Sequence, residues 1–226
     1  MNLITEIRYY RINRNIDRVG STDKFHNRHR IRVPFDPIID VRIVYFYLRQ
    51  FLNMTTLRPF VADDLFKFNH INLDPLTETY NISFYMLYVS TWPSLCASFD
   101  DANGRMMGYI LGKAEGDGKL WHGHVTAVTV SPEYRRLAIA KNLMAYLEDV
   151  STYSYNGYFV DLFVRVSNKL AQLMYNSLGY TVYRQVLEYY SGEEDAYDMR
   201  KSLPRDITKE SMIPLPHPIT PDMLEW

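Results

Sequence analysis

Cysteine is almost missing from this chain of 226 residues, with Cys96 standing alone. That excludes an internal disulfide and a thiolate cluster for a metal, and it points to a reducing compartment. Also missing is any apolar run near the ~20 residues that a membrane-spanning helix needs. No charged-then-apolar stretch of the secretory kind opens the chain, and no internal repeat is found. Net charge is small, at −1. The expectation is a soluble, cytoplasmic protein with no membrane contact. The small total hides an asymmetry: residues 1–53 hold ten Lys and Arg against five Asp and Glu, and the remainder holds fifteen against twenty-one. A body with excess acid is not a direct nucleic-acid binder by bulk charge. What the chain does have is apolar mass: 47% hydrophobic residues, 15% aromatic, with 19 tyrosines. That is enough for the core of one ordinary domain.

Residues 1–53 are rich in Arg and Asn, with turn formers at Gly20-Ser21, Asn27 and Pro34 to Pro37. Only Ile38 to Leu52 is apolar enough to form an element. A mitochondrial presequence is Arg-rich but poor in acids, and Glu6, Asp17, Asp23, Asp36 and Asp40 speak against one. The segment reads as an N-terminal extension, either disordered or not native, with Met54 as the functional start. Residues 54–203 read as the folded domain. The tail, 204–226, has five prolines and no periodic pattern, and reads as an extended arm or docking segment.

Within the domain the elements follow closely. Thr55 to Phe60 is a short strand, after which Asp63 and Asp64 are placed to cap a helix carrying Leu65, Phe66 and Phe68. Phe84, Leu87, Tyr88 and Thr91 recur at helical spacing and predict a helix over Ile82 to Trp92. Leu95 to Phe99 and Met106 to Ala114 form a strand pair about a turn containing Asn103-Gly104. A strand over Trp121 to Val130 leads to a helix with Ile139, Leu143, Leu147 and Val150 inward. Gly157 to Val166 is the next strand. Asn168 then starts a helix with Leu170, Leu173, Met174 and Leu178 inward, closed by Gly179. Thr181 to Tyr189 is the last long strand. The early strands read as antiparallel, and strand Trp121–Val130, helix, strand Gly157–Val166 reads as a βαβ unit. The fold class is therefore α/β with a mixed sheet, not a doubly wound one.

The stretch VTVSPEYRRLAIA, Val128 to Ala140, stands out chemically. A β-branched run stops at Ser131-Pro132, two arginines follow, and small residues open a helix. That order aims free backbone N–H groups and guanidinium groups at one spot, which suits a pyrophosphate. On the preceding strand, alternation puts His122, His124, Thr126, Val128 and Val130 on one face. Spacing alone reads His124 as a buried structural histidine, or as half of a His-x-His metal pair. No third ligand stands nearby at the usual spacing.

In this setting the loop resembles the coenzyme loop of the GNAT acyl-CoA-dependent N-acetyltransferases, Gln/Arg-x-x-Gly-x-Gly/Ala. Arg135-Arg136-Leu137-Ala138-Ile139-Ala140 fits, except that Ala138 stands where Gly is usual. Alanine accepts helical dihedrals but adds a methyl beside the ligand. LDPLTETY (Leu73–Tyr80), WHGHVTA (Trp121–Ala127), FVDLFVRVSN (Phe159–Asn168), EYY (Glu188–Tyr190), EDAYDMRK (Glu194–Lys201) and IPLPHP (Ile213–Pro218) look like the catalytic subunits of NatB-type N-terminal acetyltransferase complexes. The resemblance begins at MTTLRPF (Met54–Phe60), runs to the tail, and leaves out residues 1–53.

The resemblance implies a GNAT fold, with a mixed central sheet of six to seven strands flanked by four helices. It implies acetyl-CoA as co-substrate, no metal, and acetylation of the α-amine of nascent polypeptides beginning Met-Asp, Met-Glu, Met-Asn or Met-Gln. A large helical-repeat auxiliary subunit is implied too, with ribosome contact through it. Two other readings stay open: a GNAT enzyme for lysine or small amines, and a non-catalytic GNAT-fold assembly subunit. Carried onto this chain, Val128, Val130, the loop Arg135, Arg136, Leu137, Ala138, Ile139 and Ala140, and Asn168 serve the coenzyme. Backbone N–H groups near Val130 serve the oxyanion. His124 contacts substrate, with a role as base, beside Thr126. Tyr175 becomes the acid for the leaving thiolate, although spacing alone reads it as a half-buried core aromatic. Glu78 and Tyr80 form one wall of the substrate site. Tyr189 and Tyr190 form the other, where strand alternation allows only one to face the peptide unless a loop begins there. The Pro-rich tail and the apolar residues of the first helices are the candidate partner surface, and Cys96 is a core residue.

Overall fold

The structure, a computed structural model, describes residues 55–75, 77–190 and 194–224; the N-terminal extension read for 1–53 lies outside them. Among the described residues, seven strands form one mixed sheet: β1 (Thr56–Pro59), β2 (Cys96–Asp100), β3 (Met106–Glu115), β4 (His122–Val130), β5 (Phe159–Arg165), β6 (Thr181–Tyr190) and β7 (Glu194–Ser202). Their spatial order is β1-β2-β3-β4-β5-β7-β6. Four α-helices cover it: α1 (Asn69–Asn72), α2 (Ile82–Thr91), α3 (Ile139–Tyr153) and α4 (Lys169–Ser177). Every strand pairing is antiparallel except β4 with β5, which are parallel and joined through α3.

Two apolar layers follow from the alternation of the strands. On one face, Leu143, Met144, Leu147 and Val150 of α3 pack with Ile110, Val125, Val160 and Leu162. On the other, Phe68, Ile71, Tyr85 and Tyr88 from α1 and α2 pack on Tyr109 and Leu111. The 3.6-residue period of Ile139, Leu143, Leu147 and Val150 was readable because all four are buried.

Three sequence expectations need correcting. The first helix, expected to carry Leu65, Phe66 and Phe68, is a short 3-10 turn (Ala62–Phe66) followed by the single turn of α1, and Phe66 is 85% exposed. Asp64 caps there with its side chain, accepting from the Val61 N–H, but it is fully buried because the Arg58 guanidinium reaches it at 2.7 and 2.8 Å and also holds Asp100. In α2 and α4 the inward faces are rotated. Tyr85 and Tyr88 are buried in α2 while Leu87 is exposed; Ala171, Met174, Tyr175 and Leu178 face the core from α4 while Leu170 and Leu173 are exposed. Met174 and Leu178 face inward as expected, while Tyr85 and Tyr175 took inward positions that counting leucines assigns elsewhere.

β7 was not legible as a strand. Five of its nine residues are charged, yet it lies inside the sheet between β5 and β6. Its buried charges are compensated in place. Asp198, fully buried, accepts from Arg184 at 2.8 Å and from Arg200 at 3.1 and 3.3 Å. Arg200 also lies over the Tyr183 ring at 3.6 Å. The proline-rich tail runs along β6: Leu215 donates to the Tyr183 carbonyl, Ile219 to Gln185, and Leu187 back to Ile219. Leu224 is buried with Val186 and Ala196. The tail thereby covers the open hydrogen-bonding edge of the sheet.

Asp198→Ala leaves two arginines in a buried site without an anion. Breaking such a pair costs about 3–5 kcal/mol. Urea unfolding of the variant shows a loss of that size; a loss below about 1 kcal/mol would mean that the network does not hold β7 in place.

Candidate active site

β4 and β5 pair only at Gly123–Val160, His124–Asp161 and Val125–Leu162. Beyond these residues the strands part, and a cavity of about 800 Å³ opens in the gap. Three groups line it: the loop Pro75, Thr77, Glu78 and Tyr80; the β4 segment Thr126 to Thr129; and the run from Phe163 at the end of β5 into α4, with Tyr175 and Tyr190. On its β5 side, the β4 backbone past Val125 has no ladder partner, so polar groups there face the gap.

A β-bulge aims the side chains of β4. The register with β3 shifts between Leu111 and Gly112, so that Ala127 opposes Leu111 and Val125 opposes Gly112, leaving Thr126 extra. His122, His124 and Thr126 do share a face, as alternation predicts. Val128 and Val130 do not: they pack toward α3, whereas Ala127 packs with the α2 layer and Thr129 bonds Thr77. One inserted residue flips the alternation, and a bulge has no signature in this sequence.

The loop before α3 has the form expected of an anion site. The first helical bond runs from Asn142 N–H to the Ala138 carbonyl, so the N–H groups of Ile139, Ala140 and Lys141 are left without helical partners. Ala138 is the N-cap residue at φ 61°, ψ 14°, and Arg136 is also left-handed at φ 66°. The cost of alanine there is thus not only the extra methyl: it does not sit in a helical conformation but in the region glycine favours. The two arginines do not converge freely. Arg135 pairs with Asp74 at 3.1 Å and bonds the Val130 carbonyl, while Arg136 is exposed with no ion pair or hydrogen bond among the described residues. Val128 and Asn168 line the cavity; Val130 and Arg135 to Ala140 lie outside its lining. Asn168 caps α4, accepting from Ala171 N–H at 3.1 Å.

The loop before α2 is tied to both strands of the gap. Thr77 Oγ1 lies 2.9 Å from Thr129 Oγ1, and Glu78 lies 3.5 Å from Arg165. Glu78 is exposed at the cavity mouth. Tyr80 stacks on Phe84 at 4.2 Å, and burial pushes its hydroxyl pKa up to about 12. Opposite stand the two tyrosines of β6. Glu188 has φ 51° and the β6–β7 register breaks between Val186 and Tyr190, so alternation fails there. Both rings gather on the Phe163 side: Tyr189 stacks on Phe163 at 4.6 Å, and Tyr190 lies under the Arg165 guanidinium at 4.0 Å. Tyr190 lines the cavity and Tyr189 backs the wall.

His124 is 6% exposed and does not itself line the cavity; its ring packs on Phe163, which does. Its Nδ1 is 2.8 Å from Asp161 Oδ1. His122 Nε2 is 3.4 Å from the same oxygen and 3.8 Å from Glu115 Oε1. Tertiary structure thus supplies the third group that spacing along the chain did not, since Glu115, His122 and His124 present ligand atoms within 4.8 Å of one another. Their charges are already balanced within the chain, however: Lys113 Nζ is 2.6 Å from Glu115, and Asp161 joins both histidines. Burial alone would raise the Asp161 pKa, but His122, and after it His124, hold it well below the ordinary range.

Tyr175 on α4 is buried rather than half-buried, and desolvation lifts its hydroxyl pKa to about 12. Its ring packs on Tyr180 and borders the cavity. Asp161, Phe163 and Arg165 were overlooked as site residues. Their period-2 spacing on one strand was the available signal, since it puts all three on the side of His124, Tyr189 and Glu78.

Comparison with known proteins agrees with this architecture. The family model of the acetyltransferase (GNAT) family matches residues 65–180. The N-alpha-acetyltransferase 20 of Dictyostelium discoideum is 63% identical over 168 residues, covering 74% of this chain and 97% of that protein. The N-terminal acetyltransferase B complex catalytic subunit NAA20 of Arabidopsis thaliana is 60% identical over 173 residues, covering 76% and 99%. Among solved structures, Chaetomium thermophilum Naa20 in complex with a bisubstrate analogue superposes with a TM-score of 0.69 at 42% identity, covering 74% of this chain and 97% of that one.

Ala138→Gly relieves the left-handed alanine before α3. The gain is about 1 kcal/mol in unfolding free energy, read by urea denaturation; a loss of stability would show that the loop's conformation is not strained.

Proposed function

The chain belongs to the acetyltransferase (GNAT) family, and on that premise we propose that it transfers acetyl from acetyl-CoA to protein N-terminal α-amines as the catalytic subunit of a NatB-like complex. The preferred chains begin Met-Asp, Met-Glu, Met-Asn or Met-Gln. An auxiliary subunit of helical-repeat build brings it to nascent polypeptides at the ribosome, in the cytoplasm. One observation carries the chemical reading: a single cavity in the β4–β5 gap joins α4 and Tyr175 to a wall of Glu78, Tyr80 and Tyr190. The motifs that make up these walls are those on which the resemblance to NatB-type subunits rests.

The residues present suit an acyl-coenzyme A. Free N–H groups at the start of α3 and the exposed Arg136 suit its pyrophosphate, and the parted β4 backbone suits its amide-bearing arm. Bound there, the co-substrate supplies a thioester carbonyl. At the far end, the Glu78 carboxylate at the mouth attracts a cationic α-amine, and the aromatic wall suits a methionine side chain.

The amine attacks only as the free base. A reference pKa near 8 leaves about a tenth of it neutral at pH 7, so removal of one proton is a modest task. His124, beside Phe163 and Thr126, is the group proposed to accept it. Nitrogen then bonds to the carbonyl carbon, backbone N–H groups of the open β4 edge hold the oxyanion, and the carbon–sulfur bond breaks. The departing thiolate takes the Tyr175 proton. Burial, which lifts that hydroxyl's pKa to about 12, keeps it protonated before the step but opposes the transfer itself, and the phenolate then recovers its proton from solvent. Cys96 takes no part: it is fully buried and its thiol pKa is raised to about 11 by burial.

Acetyl transfer by the co-expressed complex to Met-Asp, Met-Leu and Ser-starting peptides tests the specificity. Met-Asp is favoured by about tenfold or more, as a buried or partly desolvated polar contact allows. Equal transfer to free lysine would favour the lysine or small-amine reading, and no acetyl-CoA binding would favour the assembly subunit. Tyr175→Phe lowers kcat by about 100-fold with little change in KM; wild-type kcat would remove Tyr175 from the chemistry. His124→Ala lowers Met-Asp acetylation, and a wild-type rate would remove His124 from the site.

A further inference from the structure

We infer that Asp161 is a positioning residue: it fixes His124 in the tautomer that turns an unprotonated Nε2 toward the substrate, while His122 remains beside it as a resident imidazolium. The catalytic half of this inference rests on His124 being the proton acceptor proposed above; the protonation pattern itself does not.

The geometry leaves few choices. His122 Nδ1 lies against the Leu120 carbonyl, which only accepts, so that nitrogen carries hydrogen. Its Nε2 faces two carboxylate oxygens, Asp161 Oδ1 at 3.4 Å and Glu115 Oε1 at 3.8 Å. A lone pair between two anions is repelled, and a proton there faces Asp161, the nearer of the two; Glu115 Oε1 accepts no hydrogen bond among the described residues. Burial works against the charge on His122, but Asp161 and the other contacts outweigh it and raise its pKa. His124 presents Nδ1 to the same Asp161 oxygen at 2.8 Å, so this nitrogen donates as well. Its Nε2 has no hydrogen-bond partner among the described residues and, in the neutral ring, holds the lone pair.

The charges around the pair balance without a second proton on His124. From β3 come Lys113 and Glu115, joined at 2.6 Å. From β4 comes the His122 imidazolium, and from β5 the Asp161 carboxylate. Arg200 of β7 lies opposite Asp161 in register and is paired with Asp198, itself bridged to Arg184 of β6. Tyr189 of β6 and Tyr88 of α2 are the nearby hydroxyls, both with raised pKa. Within the inner group, two basic side chains, Lys113 and His122, thus stand against two acidic ones, Glu115 and Asp161.

In the reaction, the substrate ammonium gives its proton to His124 Nε2 through cavity water, since His124 does not itself line the cavity, and the freed electron pair on nitrogen forms the bond to the acetyl carbon. The new imidazolium keeps its Nδ1–H on Asp161, now as a charge-assisted bond, and later returns the extra proton to solvent. Asp161 touches neither substrate nor coenzyme and acts through His124 alone.

Imidazole ¹⁵N NMR on the full-length chain tests the protonation pattern directly, with His122→Gln and His124→Gln assigning the signals. At pH 7 the expected result is His124 with hydrogen on Nδ1 and none on Nε2, and His122 with hydrogen on both. Hydrogen on His124 Nε2 would overturn the inference. So would one equivalent of bound zinc by metal analysis with His124 Nδ1 bare, which would make the cluster a metal site instead. The positioning role is read from Asp161→Asn in the co-expressed complex. Its kcat with a Met-Asp peptide falls about 100-fold while KM holds. A near-normal kcat would overturn it. If wild type itself fails to acetylate the peptide, the function proposed above fails while the NMR result stands on its own.

Discussion

The early parting of β4 and β5 is the constraint on which the rest depends. Parallel strands held together for only three residue pairs leave their later backbone groups unpaired, and such groups are tolerated only where something else can bond them. The gap is therefore both a cost to the sheet and a place for a ligand rich in amides and carbonyls. α3 connects the two strands, and its first N–H groups, those of Ile139, Ala140 and Lys141, are left without helical partners. α4, which follows β5, lies against the other lip and brings Tyr175 to the cavity.

A second constraint is the amount of charge carried inside the sheet. Lys113, Glu115, His122, Asp161, Asp198, Arg184 and Arg200 are buried or mostly so, in pairs and bridges that run across five strands. Taking these groups out of water is expensive, and well-packed apolar residues often give greater stability. What the network provides instead is definition. Each carboxylate is shared between two cations or two ring nitrogens, so the strands have one register and the histidines one set of partners. The inward-facing charges of β7 also keep a central strand from reading, or behaving, as a simple apolar one.

The same frame ties the loop before α2 to both lips of the gap. The loop before α2 is joined to the end of β4 through Thr77 and Thr129, to the α3 approach through Asp74 and Arg135, and to β5 through Glu78 and Arg165. A shift of that loop therefore moves one wall of the cavity and the approach to α3 together.

By itself the sequence determined most of the element order, the buried face of α3, the antiparallel-then-parallel plan and the position of the anion loop. These are local properties: a period, a cap or a turn signal is written within a few residues. Its long motifs pointed to the family, and Glu78, Tyr80, Thr126, Tyr175 and Tyr190 do meet at one cavity. Only the tertiary structure decided the rest. The bulge at Thr126 turned Val128 and Val130 away from the face of His124, because register belongs to a pair of strands and not to one. β7 entered the sheet despite its charges, because partners distant in the chain, Arg184 among them, neutralise them. Glu115 and Asp161 reached the two histidines from neighbouring strands, at separations no spacing rule covers. Both tyrosines joined one wall, because a left-handed Glu188 broke the alternation. Local chemistry fixed which pieces form; contacts between distant strands fixed which way their side chains point, and the chemistry of the site depends on that direction.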